Sequence, residues 1–198
     1  DVYEIGPGNR PEGYNLFFKR PVPLVSRDLR LVVDERLYAT GEVLKPLDEL
    51  SASETIGALN AAGVESVAVC LLHSYANAAH EERLGQLLRR QFPEAYVSLS
   101  HEILREFREY ERTSTTVLNS YVGPIVSRYL VSLEKRLSDS GFRGTFRVMQ
   151  SNGGVMSAEV EKKMPVTMME SGPVAGVIAA AHLGESLGCR HIISFDMG

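Results

Sequence analysis

Cysteine is scarce in this sequence: only Cys70 and Cys189 occur. Neither has a second ligand at metal-binding spacing, so a disulfide framework and a zinc site are both excluded. Each stands in apolar company, and the two read as buried free thiols of a reducing, cytoplasmic setting; a single bridge between them also satisfies the sequence. Basic charge is not in surplus either, with 21 Lys and Arg against 25 Asp and Glu and a net charge of −4. Without that surplus there is no general attraction to a phosphate backbone, and nucleic acid is excluded as a partner. Long apolar runs are missing as well. The stretch Pro173 to Leu183 is too short, and too rich in Gly and Ala, to cross hydrocarbon of about 30 Å, so no membrane span or membrane partner is expected. Asp1-Val2-Tyr3-Glu4-Ile5 lacks the basic start and apolar centre of a secretion signal. No Walker loop, dinucleotide fingerprint or zinc-protease motif is present. No initiator Met is present, and the chain is expected to be an internal piece of a longer protein.

What is present belongs to an ordinary folded domain: 198 residues, 44% hydrophobic and 23% charged, enough to bury a core. Turn chemistry gathers early, at Gly6 to Pro11, Arg20 to Pro23 and Thr40-Gly41, because Pro cannot donate and Gly takes positive φ freely. Between these turns, Leu29–Asp34 and Glu42–Leu44 are predicted to be strands of a hairpin or small sheet. A short helix capped by Ser53 and stopped by Gly63 comes next. The apolar run Val64–Leu72 predicts a strand buried on both faces. A helix over Ala78–Gln91, capped by Asn77 and stopped before Pro93, carries Leu84, Leu87 and Leu88 inward, and Tyr96–Leu99 predicts the next strand. This alternation is the pattern of α/β units. Residues 101–140 read as helical, with Val117, Leu118, Tyr121, Ile125, Val126, Tyr129, Leu130, Leu133 and Leu137 on an inner stripe and a kink or division at Pro124. Strands over Thr145–Met149 and His191–Phe195 flank a helix from Pro173 to Leu187.

Four segments could carry chemistry. Glu170-Ser171-Gly172-Pro173 opens a helix whose free N–H groups and positive dipole end suit an anion, with Ser171 as cap; the plainer reading is an ordinary capped helix. Ser194-Phe195-Asp196-Met197-Gly198 delivers a carboxylate to the end of a predicted strand, where ligands of open α/β sheets bind; the plainer reading of Asp196 is a turn former. Gln150-Ser151-Asn152-Gly153-Gly154 follows a strand and could bring backbone amides to a ligand, or be a turn only. His101 to Thr116 places opposite charges at helical spacing, Arg105 with Glu109, Arg108 with Glu111, and Arg112 near Glu109. That pattern is either a solvated face or a polar substrate wall. His73 and His101 both follow predicted strands.

Together these segments resemble a known family. Leu72-His73-Ser74-Tyr75-Ala76-Asn77, Ser100-His101-Glu102, Glu106 to Asn119, Met149 to Gly154, Ser171 to Val177 and Phe195-Asp196-Met197-Gly198, in this order, look like hydantoinase A and 5-oxoprolinase proteins, the group that includes ATP-dependent N-methylhydantoinase. The resemblance implies an α/β chain that is a fragment of an actin-like (ribonuclease H-like) ATPase fold. Residues 1–112 would be the C-terminal part of the hydantoinase/oxoprolinase N-terminal region, and 113–198 the start of the hydantoinase A domain. The implied reaction uses ATP and Mg²⁺ to phosphorylate the carbonyl of a cyclic amide and open its ring; acetone carboxylase chemistry and a non-catalytic binding module are the alternatives. Asp196 would be the catalytic and metal-binding carboxylate. Ser171, Gly172, Asn152, Gly153, Gly154 and Gly198 would bind cofactor, and His101, Glu109 and Arg112 substrate. A hydantoinase B-type second subunit is the implied protein partner.

Overall fold

The computed structural model describes residues 2–6, 13–19 and 21–197. Most of the first predicted turn, Pro7 to Pro11, and Arg20 and Gly198 lie outside the described residues. The chain is α/β, and it divides into two compact units, residues 1–124 and 125–198.

Unit 1 begins with a short helix, α1 (Val2–Ile5), and a small antiparallel ladder of β1 (Arg36–Leu37) and β2 (Val43–Lys45). The expected first strand, 29–34, does not form. Its start is drawn into a 3₁₀ turn, Arg27–Leu29, whose next residue Arg30 uses its guanidinium on the Val25 carbonyl and on Glu4. Pairing therefore begins two residues beyond the predicted segment. α2 (Glu49–Ala61) starts at Asp48, not Ser53, because the Asp48 carboxylate accepts from the Leu50 and Ser51 amides. It stops ahead of Gly63, which takes φ 68°.

β3 (Ser66–Val69) and β4 (Tyr96–Leu99) pair in parallel, joined through α3 (Ala79–Gln91). The cap position of α3 is Ala78 and not the expected Asn77, although Asn77 Oδ1 does accept from the Ala79 amide. The core under these strands gathers Ala52 and Ile56 of α2, Val67 and Val69 of β3, Leu84, Leu87 and Leu88 of α3, and Phe92 and Leu99. The strand predicted over 64–72 is shorter than expected, and one face of it, Ser66 and Ala68, is only half-buried. The reason lies on the far side of the sheet, where the cover is polar. β4 shows this alternation: Leu99 points into the apolar core, while Ser98 accepts a hydrogen bond from Asn119 Nδ2 at 2.9 Å.

Asn119 belongs to α5 (Glu109–Asp139), which follows the four-residue α4 (Ser100–Ile103) and runs unbroken through Pro124. The predicted inner stripe of α5 is corrected in kind. Tyr121, Ile125 and Tyr129 are more than half exposed, whereas Arg112, Thr116, Asn119 and Ser120 are buried beside Val117. Contact with the polar side of the sheet overrides hydropathy here: Asn119 donates to Ser98 and Thr116 to the Arg112 carbonyl, while Ser120 Oγ is buried with no partner among the described residues. Gly123 allows the close approach: a Cβ at that position would stand 2.2 Å from Tyr96 Cε1. Burial under the helix pushes the Tyr96 phenol up to about 12, against an opposing hydrogen bond with Asn119.

Unit 2 contains a hairpin of β5 (Arg147–Met149) and β6 (Val155–Ser157), then α6 (Ala158–Glu161), a 3₁₀ turn at Pro165–Met168, and α7 (Ser171–Leu187). The second strand of the hairpin was not expected from sequence, because its three residues are too few to show a period. α7 ends where Gly188 takes φ 70° and the Gly188 and Cys189 amides return to the Glu185 and Gly184 carbonyls. The strand expected over His191–Phe195 is absent: these residues are exposed and, among the described residues, pair with no other strand. Cys189 is likewise exposed, not buried, and Cys70 is half-buried with Sγ 3.1 Å from Thr113 Oγ1. Both thiols are free. Among the described residues no helix is long and apolar enough to cross a membrane.

Candidate functional site

The carboxyl ends of parallel strands are where α/β sheets place their ligands, and in unit 1 the segments leaving β3 and β4 meet there around one carboxylate. Glu81, in the first turn of α3, is 0% exposed. Its Oε1 accepts from the Leu71 amide at 2.8 Å and from Ser100 Oγ at 2.6 Å. Its Oε2 accepts from the His101 amide at 3.0 Å and lies 2.8 Å from His101 Nδ1. A buried carboxylate is tolerable only with such a full set of donors.

The donors continue outward in a fixed order. Arg112 is 1% exposed, and its Nη1 donates to Ser74 Oγ at 3.1 Å while Nη2 donates to the Leu71 carbonyl at 3.0 Å. Arginine can only donate. Ser74 therefore turns its own proton to Ser100 Oγ, 3.0 Å away, and Ser100 in turn donates to Glu81. A cation and an anion are thus joined through two hydroxyls. The face of Tyr75 lies over the Arg112 guanidinium at 5.5 Å, and Arg105 Nε donates to the Tyr75 carbonyl at 2.9 Å. His73, beside Tyr75, takes φ 64°, a conformation that costs energy for a residue with a Cβ and concentrates at functional sites.

Of the substrate residues expected from sequence, His101 and Arg112 are brought into this network. Glu109 stands half-buried in the first turn of α5. The predicted pairing of Arg105 with Glu109 is replaced by the Arg105 bond to Tyr75, whereas Arg108 does meet Glu111 at 3.8 Å. Sequence reasoning missed Glu81, Ser74 and Ser100. A signal for Glu81 was available: it falls one turn ahead of Leu84 and two turns ahead of Leu88, so a charge occupies the buried stripe of α3.

In unit 2 the expected cofactor residues fall in two adjoining segments. Ser151 Oγ accepts from the Glu170 amide at 2.9 Å, which ties the Gln150–Gly154 turn to the start of α7. Gly153 packs on that helix, since a Cβ there would lie 2.8 Å from Ile178 Cδ1. Behind the turn, Gln150 Nε2 donates to Thr167 Oγ1 at 3.0 Å, and Thr167 donates to buried Glu161 at 2.6 Å. The amides the turn was expected to offer are used inside it: Gly153 N–H goes to the Gln150 carbonyl at 3.0 Å and Gly154 N–H to Asn152 Oδ1 at 2.7 Å. Ser171 is the first residue of α7 and not its cap, a place taken by Glu170. Pro173 has no N–H and the Val174 amide returns to Glu170, which leaves the Ser171 and Gly172 amides, among the described residues, as the unspent donors of that turn. Asp196 is exposed. Among the described residues no three His, Cys, Asp or Glu side chains gather as a metal site.

Two family models cover most of the chain: the hydantoinase/oxoprolinase N-terminal region matches residues 1–92, and hydantoinase/oxoprolinase matches residues 112–198. An uncharacterized protein of Methanocaldococcus jannaschii is 41% identical over the whole chain, which spans 29% of that relative's length. Caprolactamase subunit alpha of Pseudomonas jessenii is 32% identical, again over the whole chain and 29% of its own length. The crystal structure of the ATP-dependent caprolactamase from that organism superposes on 100% of this chain and 29% of its own with a TM-score of 0.85 at 31% identity. The nucleotide-free structure of an ATP-dependent acetone carboxylase superposes on 86% of this chain and 24% of its own with a TM-score of 0.77 at 32% identity. The motifs read from the sequence, both family models and both superpositions agree, and the chain belongs to the hydantoinase/oxoprolinase family.

Proposed function

We propose that the chain is part of an ATP-coupled cyclic-amide hydrolase, of the hydantoin or 5-oxoproline type, which phosphorylates the amide carbonyl and opens the ring. The observation that carries this reading is the superposition of the whole chain on the ATP-dependent caprolactamase. An amide carbonyl is a poor electrophile, and phosphorylating its oxygen makes that oxygen a leaving group, the step for which ATP is needed. In this reading the architecture is that of an actin-like ATPase, with residues 1–112 closing the N-terminal region and 113–198 opening the hydantoinase A domain. His101, Glu109 and Arg112 serve the ring. Arg112 does so from behind, since its fork is already engaged by Ser74 and Leu71.

Ser171 and Gly172 serve the nucleotide with their unspent amides, and Asn152, Gly153, Gly154 and Gly198 are assigned to the same ligand. A Mg²⁺–nucleotide needs only one or two protein carboxylates besides its phosphates, and Asp196 is the residue assigned to it. Among the described residues Asp196 belongs to no cluster of three or more His, Cys, Asp or Glu side chains. The chain spans 29% of the caprolactamase subunit's length; turnover, and any second subunit of hydantoinase B type, are proposed for the whole protein, and the chain by itself is expected to be inactive. Phosphate release by the whole protein, offered hydantoin, 5-oxoproline or caprolactam, tests the reading; no stimulation by any of them counts against it.

Ketone carboxylation is the second reading, favoured by the likeness to acetone carboxylase. Bicarbonate-dependent consumption of acetone would select it.

A further inference from the structure

The bonds around Glu81 fix which nitrogen of His101 carries a proton. Three of the four groups on this carboxylate are donors by nature, two backbone amides and the Ser100 hydroxyl at the end of the Arg112–Ser74–Ser100 chain. The fourth, His101 Nδ1 at 2.8 Å, faces an acceptor and must donate. In the neutral imidazole it is then Nε2 that keeps its lone pair. Among the described residues no protein group bonds to it, and it is not one of the sealed, unpartnered atoms. The side chain is 10% exposed, so the ring is not fully sealed from solvent. A lone pair on a clamped imidazole at the end of a parallel strand is the arrangement of a proton acceptor.

Resting on the function proposed above, we infer that His101 is the base of the phosphorylation step and Glu81 its positioning residue. As the carbonyl oxygen attacks the γ-phosphorus of ATP, the carbonyl π pair makes the new O–P bond. The bond from that phosphorus to ADP breaks, and its electron pair leaves with ADP. The ring N–H proton passes to His101 Nε2, and the N–H pair becomes the C=N bond of an O-phosphorylated imidate. The substrate class follows from this step: a ring whose amide nitrogen carries hydrogen. A fully substituted nitrogen has no proton to give.

The test uses the whole protein with its second subunit, and caprolactam, 5-oxoproline and N-methylcaprolactam as probes. His101→Asn keeps a donor toward Glu81 but has no Nε2 base. It should lower kcat for ring-dependent phosphate release by about 100-fold or more while the KM for ATP stays within about twofold. His101→Gly, a second variant, should regain part of the rate when imidazole is added. Wild-type protein should release no phosphate with N-methylcaprolactam. The inference is overturned if His101→Asn, folded as judged by an unchanged Tm, keeps kcat within about threefold of wild type. It is equally overturned if the N-methyl ring is consumed as fast as caprolactam. A wild-type protein that ignores every ring but consumes acetone with bicarbonate would sink the ring reading alone. The base is then read from exchange of the acetone C–H hydrogens with deuterated water, which His101→Asn must slow for the inference to stand.

Discussion

Arg112 and Glu81 do not touch, yet each is buried because of the other: Ser74 and Ser100 carry the hydrogen bonds from guanidinium to carboxylate. Removing either hydroxyl leaves a buried donor or acceptor short of a partner. Ser74→Ala and Ser100→Ala should each cost about 1–3 kcal/mol, and the double variant less than their sum, because the links share one chain. Urea denaturation of the four proteins reads both quantities. Additive losses would mean that the hydroxyls act independently.

Arg112→Lys is a sharper test of the same network. A lysine ammonium has no planar fork and cannot meet Ser74 Oγ and the Leu71 carbonyl in the same geometry. A loss of about 3–5 kcal/mol is expected, as for other buried pairs deprived of one partner. A change below about 1 kcal/mol would place the stabilisation elsewhere.

The contact of Gly123 with Tyr96 predicts overpacking. Gly123→Ala puts a methyl 2.2 Å from the ring and should destabilise by about 1–3 kcal/mol, despite alanine's higher helix propensity. Pairing it with Tyr96→Leu should recover much of the loss. Thermal melts of the single and double variants decide the matter.

Alkaline pH supplies a further check. The Tyr96 phenol is pushed up to about 12 by burial, so the folded chain holds a proton that the unfolded chain releases near pH 10. The contribution is complete below pH 10 and is lost as pH rises toward 12. Discounted for the part of the ring that solvent reaches, it amounts to about 1–2 kcal/mol. Stability of Tyr96→Phe should be flatter across that window, and an identical slope would remove Tyr96 as its source.

Asp196→Asn separates a catalytic carboxylate from a turn former. Because Asp196 is exposed, its substitution should leave Tm within about 1–2 °C and cut ATP-coupled turnover of the whole protein by about 100-fold or more. Equal losses of activity and stability would favour the turn.

The parallel pair, the helix between its strands and the leucines beneath them were legible because their periods are long and unmixed. β4 and α3 fall within a residue of their predicted bounds. The inner face of α5 was not legible. Hydropathy points to Tyr121, Ile125 and Tyr129, whereas burial selects Thr116 and Asn119, whose partners lie in the helix's own preceding turn or more than twenty residues away. The site was half legible for the same reason. His101 and Arg112 could be singled out by type and position, but Glu81, which joins them, is known only once two loops come together. The terminal strand failed because β-branched residues predict extension, while a ladder requires a neighbour.

His73 offers a last consequence. A chain that needed only to reverse direction after β3 would place glycine where φ is 64°, and His73→Gly should relax the turn by about 1 kcal/mol. The imidazole is held there 3.3 Å from the Tyr75 hydroxyl, with the two rings edge to face. The turn is therefore tensioned around an aromatic ring, and a more robust variant of this protein is the first place to look for a slower one.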